Sequence, residues 1–192
     1  MNNAATMSAV QLLGHGGYEQ LHYQTGLPIP VPVVGEVLVK VLAAGINNTD
    51  INTRLGWYSS SVATATREIA ETAKDVSNGD WTGQGLHFPR IQGADVCGIV
   101  IAAGPQTPDR LIGKRVIIQS CLLSLAKGSF TPFLGSERDG GFAQYVTALF
   151  GDVYPVNASL SDSQLAAVPC AYGTAENLLQ RTGVKSTDSV LI

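Results

Sequence analysis

Few side chains in this sequence are grouped for chemistry, and the densest group is the polar run Asn47-Asn48-Thr49-Asp50, which follows an apolar segment. A carboxamide can donate a hydrogen bond to a negatively charged oxygen, and a carboxylate can accept bonds from backbone N–H groups. Asparagine is also a strong helix N-cap, so the same run is equally suited to begin a short helix. The residue types at 47–50 therefore permit both a functional and a structural role.

The thiols and imidazoles are not spaced to bind a metal. The cysteines stand far apart with no C-x-x-C pair, which argues against a disulfide framework or a thiolate zinc knuckle and agrees with reduced thiols in the cytosol. We expect Cys97 to belong to the core and Cys170 to be a small buried filler. No histidine has a second histidine or a cysteine at ligand spacing, so we expect structural or exposed histidines. The residues in question are Cys97, Cys121, Cys170, His15, His22 and His87.

Short apolar segments separated by glycines fill most of the first 150 residues. In the clearest, residues 35–45, valines occupy one face and Leu38, Lys40 and Leu42 the other, a period of two that predicts a strand. Glycines bracketing short strands are typical of a barrel with tight corners. We therefore expect a mainly β fold with peripheral helices, an irregular β-barrel. Further strands are predicted at 7–13, 20–24, 96–103, 115–119 and 142–147.

The last 32 residues have a different pattern, with helix signals in place of short strands. Residues 161–164 match a capping box that begins a helix, which Pro169 should end, and a second helix over 172–181 should end at Gly183. Residues 189–192 then predict an apolar strand. This order of helix and strand indicates the start of an α/β unit that the sequence does not finish.

Composition excludes several classes of function. The chain has 192 residues, of which 14% are charged, with a net charge of −3. It contains no run of lysines and arginines, so we expect no nucleic-acid partner. No apolar stretch approaches the ~20 residues of a membrane span, and the first residues do not resemble a signal peptide. We therefore expect no membrane partner and a cytoplasmic location.

Four segments together resemble the medium-chain dehydrogenase/reductase superfamily, which contains zinc alcohol dehydrogenases and zinc-free quinone oxidoreductases. The segments are Gly-Glu-Val-Leu-Val-Lys-Val at 35–41 with Gly-Ile-Asn-Asn-Thr-Asp at 45–50, Phe-Pro-Arg-Ile-Gln-Gly-Ala-Asp-Val-Cys-Gly at 88–98, Gly-Gly-Phe-Ala-Gln-Tyr at 140–145, and Ala-Ala-Val-Pro-Cys at 166–170 with Thr174. The resemblance implies a GroES-like barrel at 1–160 that carries substrate and catalytic groups. Residues 161–192 would be hinge helices and the first strand of a Rossmann domain, whose glycine turn should follow Ile192.

The resemblance also bears on zinc. Zinc-dependent relatives place their catalytic ligands at the positions of Asn47, Ala94 and Cys170. An alanine cannot be a ligand and a neutral amide is a poor one, so we predict no catalytic zinc. The lobe that holds a second, structural zinc in many relatives corresponds to residues 120–138, and Cys121 is its only cysteine. A four-thiolate site cannot be built there, so the prediction is that both metals are absent.

The zinc-free relatives have asparagine at the first ligand position and pass hydride from NADPH to a conjugated carbonyl. By this resemblance, Asn47 or Tyr58 donates a hydrogen bond to the developing enolate oxygen. Asp50 would brace the wall of the site. Asn47, Asn48 and Thr174 would contact the cofactor. The insertion at 59–87, with helical spacing over 59–80, lies between two segments that flank the active site, so we expect it to shape the substrate cleft.

The sequence thus predicts the N-terminal domain of an oxidoreductase that uses NADPH or NADH, without zinc, on a small carbonyl, enone or quinone. The full-length enzyme would be a homodimer, and this chain alone would be inactive. Two alternatives remain open: a GroES-like binding module without catalysis, and a zinc-dependent alcohol dehydrogenase. The charged residues 136–139 lie beside glycines, and we expect them to form a solvated turn.

Overall fold

The computed structural model describes residues 5–59, 86–127 and 131–191. These form eight strands, β1 Thr6–Leu12, β2 Leu21–Pro28, β3 Glu36–Gly45, β4 Arg90–Ile91, β5 Asp95–Ala103, β6 Arg115–Ile118, β7 Tyr145–Leu149 and β8 Val153–Pro155. The α-helices are α1 Asn48–Leu55, α2 Asp162–Ala166 and α3 Pro169–Thr182. The helix expected over 59–80 lies almost entirely within residues 60–85, which are outside the described ranges. A mainly β fold with helices at its periphery is confirmed.

The strands form two antiparallel sheets. One has the order β2-β1-β4 and the other the order β7-β3-β5-β6-β8. The long central pair β3–β5 carries two register shifts, one between Leu38 and Val39 and one between Val41 and Ala43. Such irregularities increase local twist and bend a strand, which helps a sheet to curve around its own core.

The core of the larger sheet is built from valines, as the period-two pattern predicts. Val37 and Val39 are fully buried together with Val96, Val100 and Val116 on the neighbouring strands. On the opposite face of β3, Lys40 and Leu42 are exposed. Burying each valine stabilises the fold by about 1.5–2 kcal/mol, so this shared face is the main reason that β3 and β5 stay paired.

Helix α1 is held against the turn that joins β1 to β2. Arg54 Nη1 donates to the carbonyl of Gly16, and the N–H of Gly16 donates to the carbonyl of Arg54 over 2.9 Å. The ring of His15 lies 2.9 Å from the carbonyl of Thr53 through Nδ1, and it packs edge-on against Phe88 with ring centres 5.0 Å apart. These contacts fix the position of α1 and of the residues at its start.

The C-terminal helices differ in part from the predicted ones. The capping box of Ser161 and Gln164 is present and begins α2, and Gly183 ends α3 with a φ of 66°. Pro169 does not end a helix; it begins α3, because a proline lacks the N–H that the first turn leaves unbonded anyway. The described residues 189–191 form no strand, because no described strand pairs with them, so the expected strand at 189–192 stays a prediction.

Two strands are displaced from their predicted positions. Strand β2 extends to Pro28, and β7 covers Tyr145–Leu149 instead of 142–147. The residues before β7 bond elsewhere: the N–H of Gly141 donates to the carbonyl of Gly93, and that of Phe142 to the carbonyl of Gln92. The segment 140–144 therefore joins the two sheets instead of lengthening one of them.

The solvated turn expected at 136–139 is also wrong. Ser136 is 5% exposed. Arg138 forms an ion pair with Glu36 at 2.5 Å, and Asp139 forms one with Arg90 at 2.9 Å. Their partners lie far away in sequence, so no local pattern could show that this turn is anchored.

Among the described residues, no helix has the length and apolar character needed to cross a bilayer.

Gly93 occupies a position that excludes a side chain. Its φ is 105°, and a Cβ there would lie 2.7 Å from both Cδ1 and N of Phe142. We expect Gly93→Ala to lower the free energy of unfolding by about 1–3 kcal/mol through overcrowding, with added cost from the positive φ. Gly173→Ala is the control, because nothing lies within 4 Å of a Cβ there. Urea unfolding that gave both variants the same stability would contradict this assignment.

Burial of His15 predicts a loss of stability at acid pH. Desolvation is the main cause that lowers the pKa of His15 below its ordinary value of 6.5, although hydrogen bonds to the Thr53 and Arg54 backbones oppose it. The unfolded chain therefore binds the proton more readily, and stability should be full above pH 6.5 and fall below it.

The measurement compares thermal unfolding midpoints at neutral and mildly acidic pH. His15→Gln should lose less stability on acidification than the wild type, while His22→Gln, at an exposed position, should behave as the wild type does. Equal acid sensitivity in all three proteins would show that His15 does not carry the effect.

Candidate active site

Asp95 lies at the centre of the polar group that the structure assembles around Asn47. It is the first residue of β5 and is 1% exposed. Its Oδ2 accepts a hydrogen bond of 2.6 Å from Nδ2 of Asn47, and its Oδ1 accepts one of 2.7 Å from the backbone N–H of Cys170. The starts of α1, β5 and α3 therefore meet at one carboxylate.

Asp50 is the second buried carboxylate of the site. Its Oδ2 accepts the backbone N–H of Asn47 at 2.9 Å, and its Oδ1 accepts that of Gly93 at 3.1 Å. The backbone carbonyl of Asp50 accepts a bond of 2.9 Å from Nε2 of Gln92. The acid at the third position of α1 thus caps the helix start and anchors the segment that leads into β5.

Burial dominates the electrostatics of both acids. Desolvation raises the pKa of Asp50, hydrogen bonds from the Asn47, Gly93 and Ala94 backbones oppose the rise, and the charge of Asp95 adds to it. Desolvation likewise raises the pKa of Asp95, against hydrogen bonds from Asn47 and Cys170. Two neighbouring carboxylates in a buried site each disfavour ionisation of the other, so N–H donors are needed to hold them.

Cys170 is not the buried filler that we expected, because it is half-exposed. Burial still raises the pKa of its thiol to about 11, and the charges of Asp95 and Asp50 add to the rise. In the metal-free site the thiol is therefore not an activated nucleophile. Cys97 is fully buried, as predicted.

The donors at the three zinc positions do not fit a zinc ion. Asn47 gives its carboxamide to Asp95, Ala94 has no donor atom, and Cys170 supplies the single sulfur of the three positions. Within the residues 5–59, 86–127 and 131–191, no cluster of three or more histidine, cysteine or acidic side chains is arranged around a common point. A borderline-soft ion such as Zn²⁺ needs several deprotonated sulfur or nitrogen ligands, and this set does not provide them.

The remaining predicted residues lie on or just after the helices α1 and α3 that begin at this group. Asn48 is exposed as the first residue of α1. Thr174 is exposed on α3, one helical turn after Cys170 and so on the same face. Tyr58 follows the end of α1, half-buried, with its ring edge-on to Trp57 at 5.4 Å. The structure thus joins Asn47 and Asp50 by a direct bond, with Asn48 at the start of α1 and Thr174 in the second turn of α3.

Sequence reasoning missed Asp95. The signal available was a carboxylate between Ala94 and the apolar residues that follow it, since an acidic residue at the start of a buried strand needs partners. An apolar cleft of about 710 Å³ was also missed. It lies next to Asp50, and Ile46, Ile51 and Phe142 are among the residues that line it, together with Arg54, whose guanidinium lies 4.7 Å from the ring centre of Tyr18.

Comparison with known proteins identifies the family of this chain. Residues 34–158 match the model of the alcohol dehydrogenase GroES-like domain. The chain belongs to this family. A crystal structure of a protein from Sinorhizobium meliloti 1021, described as an alcohol dehydrogenase, superposes with a TM-score of 0.83 at 36% identity, over 97% of this chain and 50% of the other. The expected GroES-like fold and membership of the medium-chain superfamily are confirmed.

Its relatives include proteins with and without zinc in their descriptions. Human quinone oxidoreductase is 28% identical over 187 residues, covering 97% of this chain and 45% of the relative. An alcohol dehydrogenase from Pyrobaculum aerophilum, solved with cobalt and zinc, shares the fold with a TM-score of 0.72 at 22% identity, over 94% of this chain and 50% of the other. The chain thus spans about half the length of the relatives it matches.

The hydrogen bonds of Asp50 predict a specific loss of stability. Asp50→Ala leaves the N–H groups of Asn47 and Gly93 without their acceptor, and each buried unmet donor costs about 1–3 kcal/mol. We expect a lower free energy of unfolding and faster amide hydrogen exchange at Asn47 and Gly93. Asp109→Ala, at an exposed aspartate, is the matched control. Unchanged exchange at both amides in Asp50→Ala would show that the carboxylate does not hold this junction.

Proposed function

We propose that this chain is the substrate-side domain of an oxidoreductase that uses NADPH or NADH to transfer hydride to or from a small carbonyl, enone or quinone without zinc. The observation that supports it is the bond between Asn47 and Asp95 at the place where zinc-dependent relatives bind their metal. An amide held by a buried carboxylate suits hydrogen bonding to a substrate and does not suit metal binding.

The residues around this junction also suit a nicotinamide. Asn47, Asn48 and Thr174 offer amide and hydroxyl groups that are half-exposed or exposed, two at the start of α1 and one in the second turn of α3. We infer that these groups orient the nicotinamide ring, which supplies the hydride when the cofactor is bound. Asn47 has a second N–H that Asp95 Oδ2 does not use, and it would donate to the substrate oxygen as negative charge develops there. Tyr58 is the other donor that we assign to this role.

Residues 161–192 would form the hinge to a cofactor-binding domain, with residues 1–160 as the barrel. Helix α3 supports this division, because Tyr172, Leu178 and Leu179 on it are exposed, and apolar side chains in such positions usually pack against further protein. The homodimer, the cytoplasmic location, the shaping of the cleft by the 59–87 insertion and the inactivity of residues 1–192 alone belong to the same proposal.

The test uses the whole protein that the gene of this chain encodes. The protein should oxidise NADPH or NADH with a quinone, enone or aldehyde acceptor after complete chelation, with far less than one zinc per chain. Asn47→Ala should lower kcat on the order of a hundredfold, because an oxyanion donor is lost. Asn157→Ala, at an exposed asparagine on a loop, is the matched control.

Other outcomes would favour the two alternatives. Stoichiometric zinc, with turnover that chelation abolishes, would identify a zinc-dependent alcohol dehydrogenase. Saturable binding of small apolar molecules without turnover of any acceptor would identify a binding module, which the apolar cleft of about 710 Å³ favours. Either result would overturn the proposed reaction.

A further inference from the structure

The carboxylate of Asp95 uses both oxygens to join distant parts of the chain. Asn47 lies 48 positions before it and Cys170 lies 75 positions after it. The space around the carboxylate is filled: a Cβ on Gly45 would lie 2.6 Å from the carbonyl oxygen of Ala166 and 3.1 Å from Cβ of Asp95. The two donors and this tight packing hold the carboxylate in one position.

A carboxylate in this position dictates which way the Asn47 amide faces. Ionised carboxylate oxygens only accept hydrogen bonds, so the atom 2.6 Å from Oδ2 must be Nδ2. Rotating the amide by half a turn would bring Oδ1 against Oδ2, two acceptors with like partial charge and no proton between them. The backbone N–H of Asn47 is bound to Asp50 as well, so the residue cannot move away to relieve that contact.

We propose that Asp95 is a positioning residue that fixes the orientation of the Asn47 amide toward the substrate. It binds two of the three positions at which zinc-dependent relatives bind their metal, Asn47 and Cys170. This inference rests on the proposed function only in taking Asn47 as the donor to the substrate. The hydrogen bonds that orient the amide do not depend on the reaction.

The substitution Asp95→Asn has a sharp consequence. The new carboxamide keeps an oxygen for the N–H of Cys170, but its NH₂ group then faces Nδ2 of Asn47. Two donors cannot bond to each other, so the Asn47 amide must turn and present Oδ1. The junction stays closed, but the NH₂ group of Asn47 then points to the side on which its oxygen lay before.

The double variant N47D/D95N restores both hydrogen bonds, with donor and acceptor exchanged in the bond between positions 47 and 95. The new amide at position 95 donates to the new carboxylate at position 47 and still accepts from Cys170. By contrast, Asn47→Asp alone sets two carboxylates against each other and should destabilise the fold. Recovery of stability in the double variant, relative to Asn47→Asp, would show that the two side chains interact directly.

Hydrogen exchange of side-chain amides, followed by NMR in nitrogen-labelled protein, measures the orientation without any turnover. One Nδ2 proton of Asn47 should exchange at least roughly tenfold more slowly than those of exposed Asn157, because a hydrogen bond must open first. In Asp95→Asn this protection should leave Asn47 and appear on the new amide at position 95. Asp109→Asn makes the same chemical change at an exposed aspartate and should leave Asn47 protected.

Two results would overturn the proposal. One is fast exchange of both Asn47 side-chain protons in the wild type, a measurement that needs no variant to fold. The other is protection of Asn47 that survives in Asp95→Asn. Loss of turnover in Asn47→Ala tests the proposed reaction separately, so a failure of that reaction and a failure of this positioning role give different results.

Discussion

A carboxylate removed from water must receive hydrogen bonds from the protein, and this requirement governs the junction on which the candidate site depends. Asp50 and Asp95 are both buried, and together they bind backbone or side-chain N–H groups of Asn47, Gly93 and Cys170. Each donor belongs to a different segment of the chain. The burial of two charges is therefore made tolerable by bonds that also bring the starts of α1, β5 and α3 together.

The β core makes this arrangement possible. Valines shared between β3 and β5 hold the two strands in register, and that register carries Gly45 opposite Asp95. Glycine is required there because any side chain would meet the carbonyl of Ala166. Apolar packing thus sets the distance between strands, and the absence of a side chain at Gly45 lets Ala166, at the end of α2, approach the sheet closely.

Local patterns in the sequence predict much of the fold, and the reason is visible in particular elements. The alternation of valines identifies β3, and the Ser161–Gln164 capping box and Gly183 mark helix ends, because each of these signals lies within a few residues. Asn47 and Asp50 were recognisable for the same reason. Asp95 was not, because its two partners are 48 and 75 residues away. The anchoring of the turn at 136–139 could not be predicted either, because its ion-pair partners Glu36 and Arg90 lie on distant strands.

The proposed absence of a metal also bears on which substrates suit the proposed reaction. A metal ion polarises a carbonyl strongly as a Lewis acid, whereas a single N–H donor stabilises developing negative charge more weakly. Conjugated acceptors need less help, because an enone or a quinone spreads the incoming charge over its own double bonds. A site built from Asn47 and Asp95 therefore matches such acceptors better than simple ketones. In the proposed reaction, the carboxylate does not replace a metal as an electrophile; it holds the amide that would donate to the substrate oxygen.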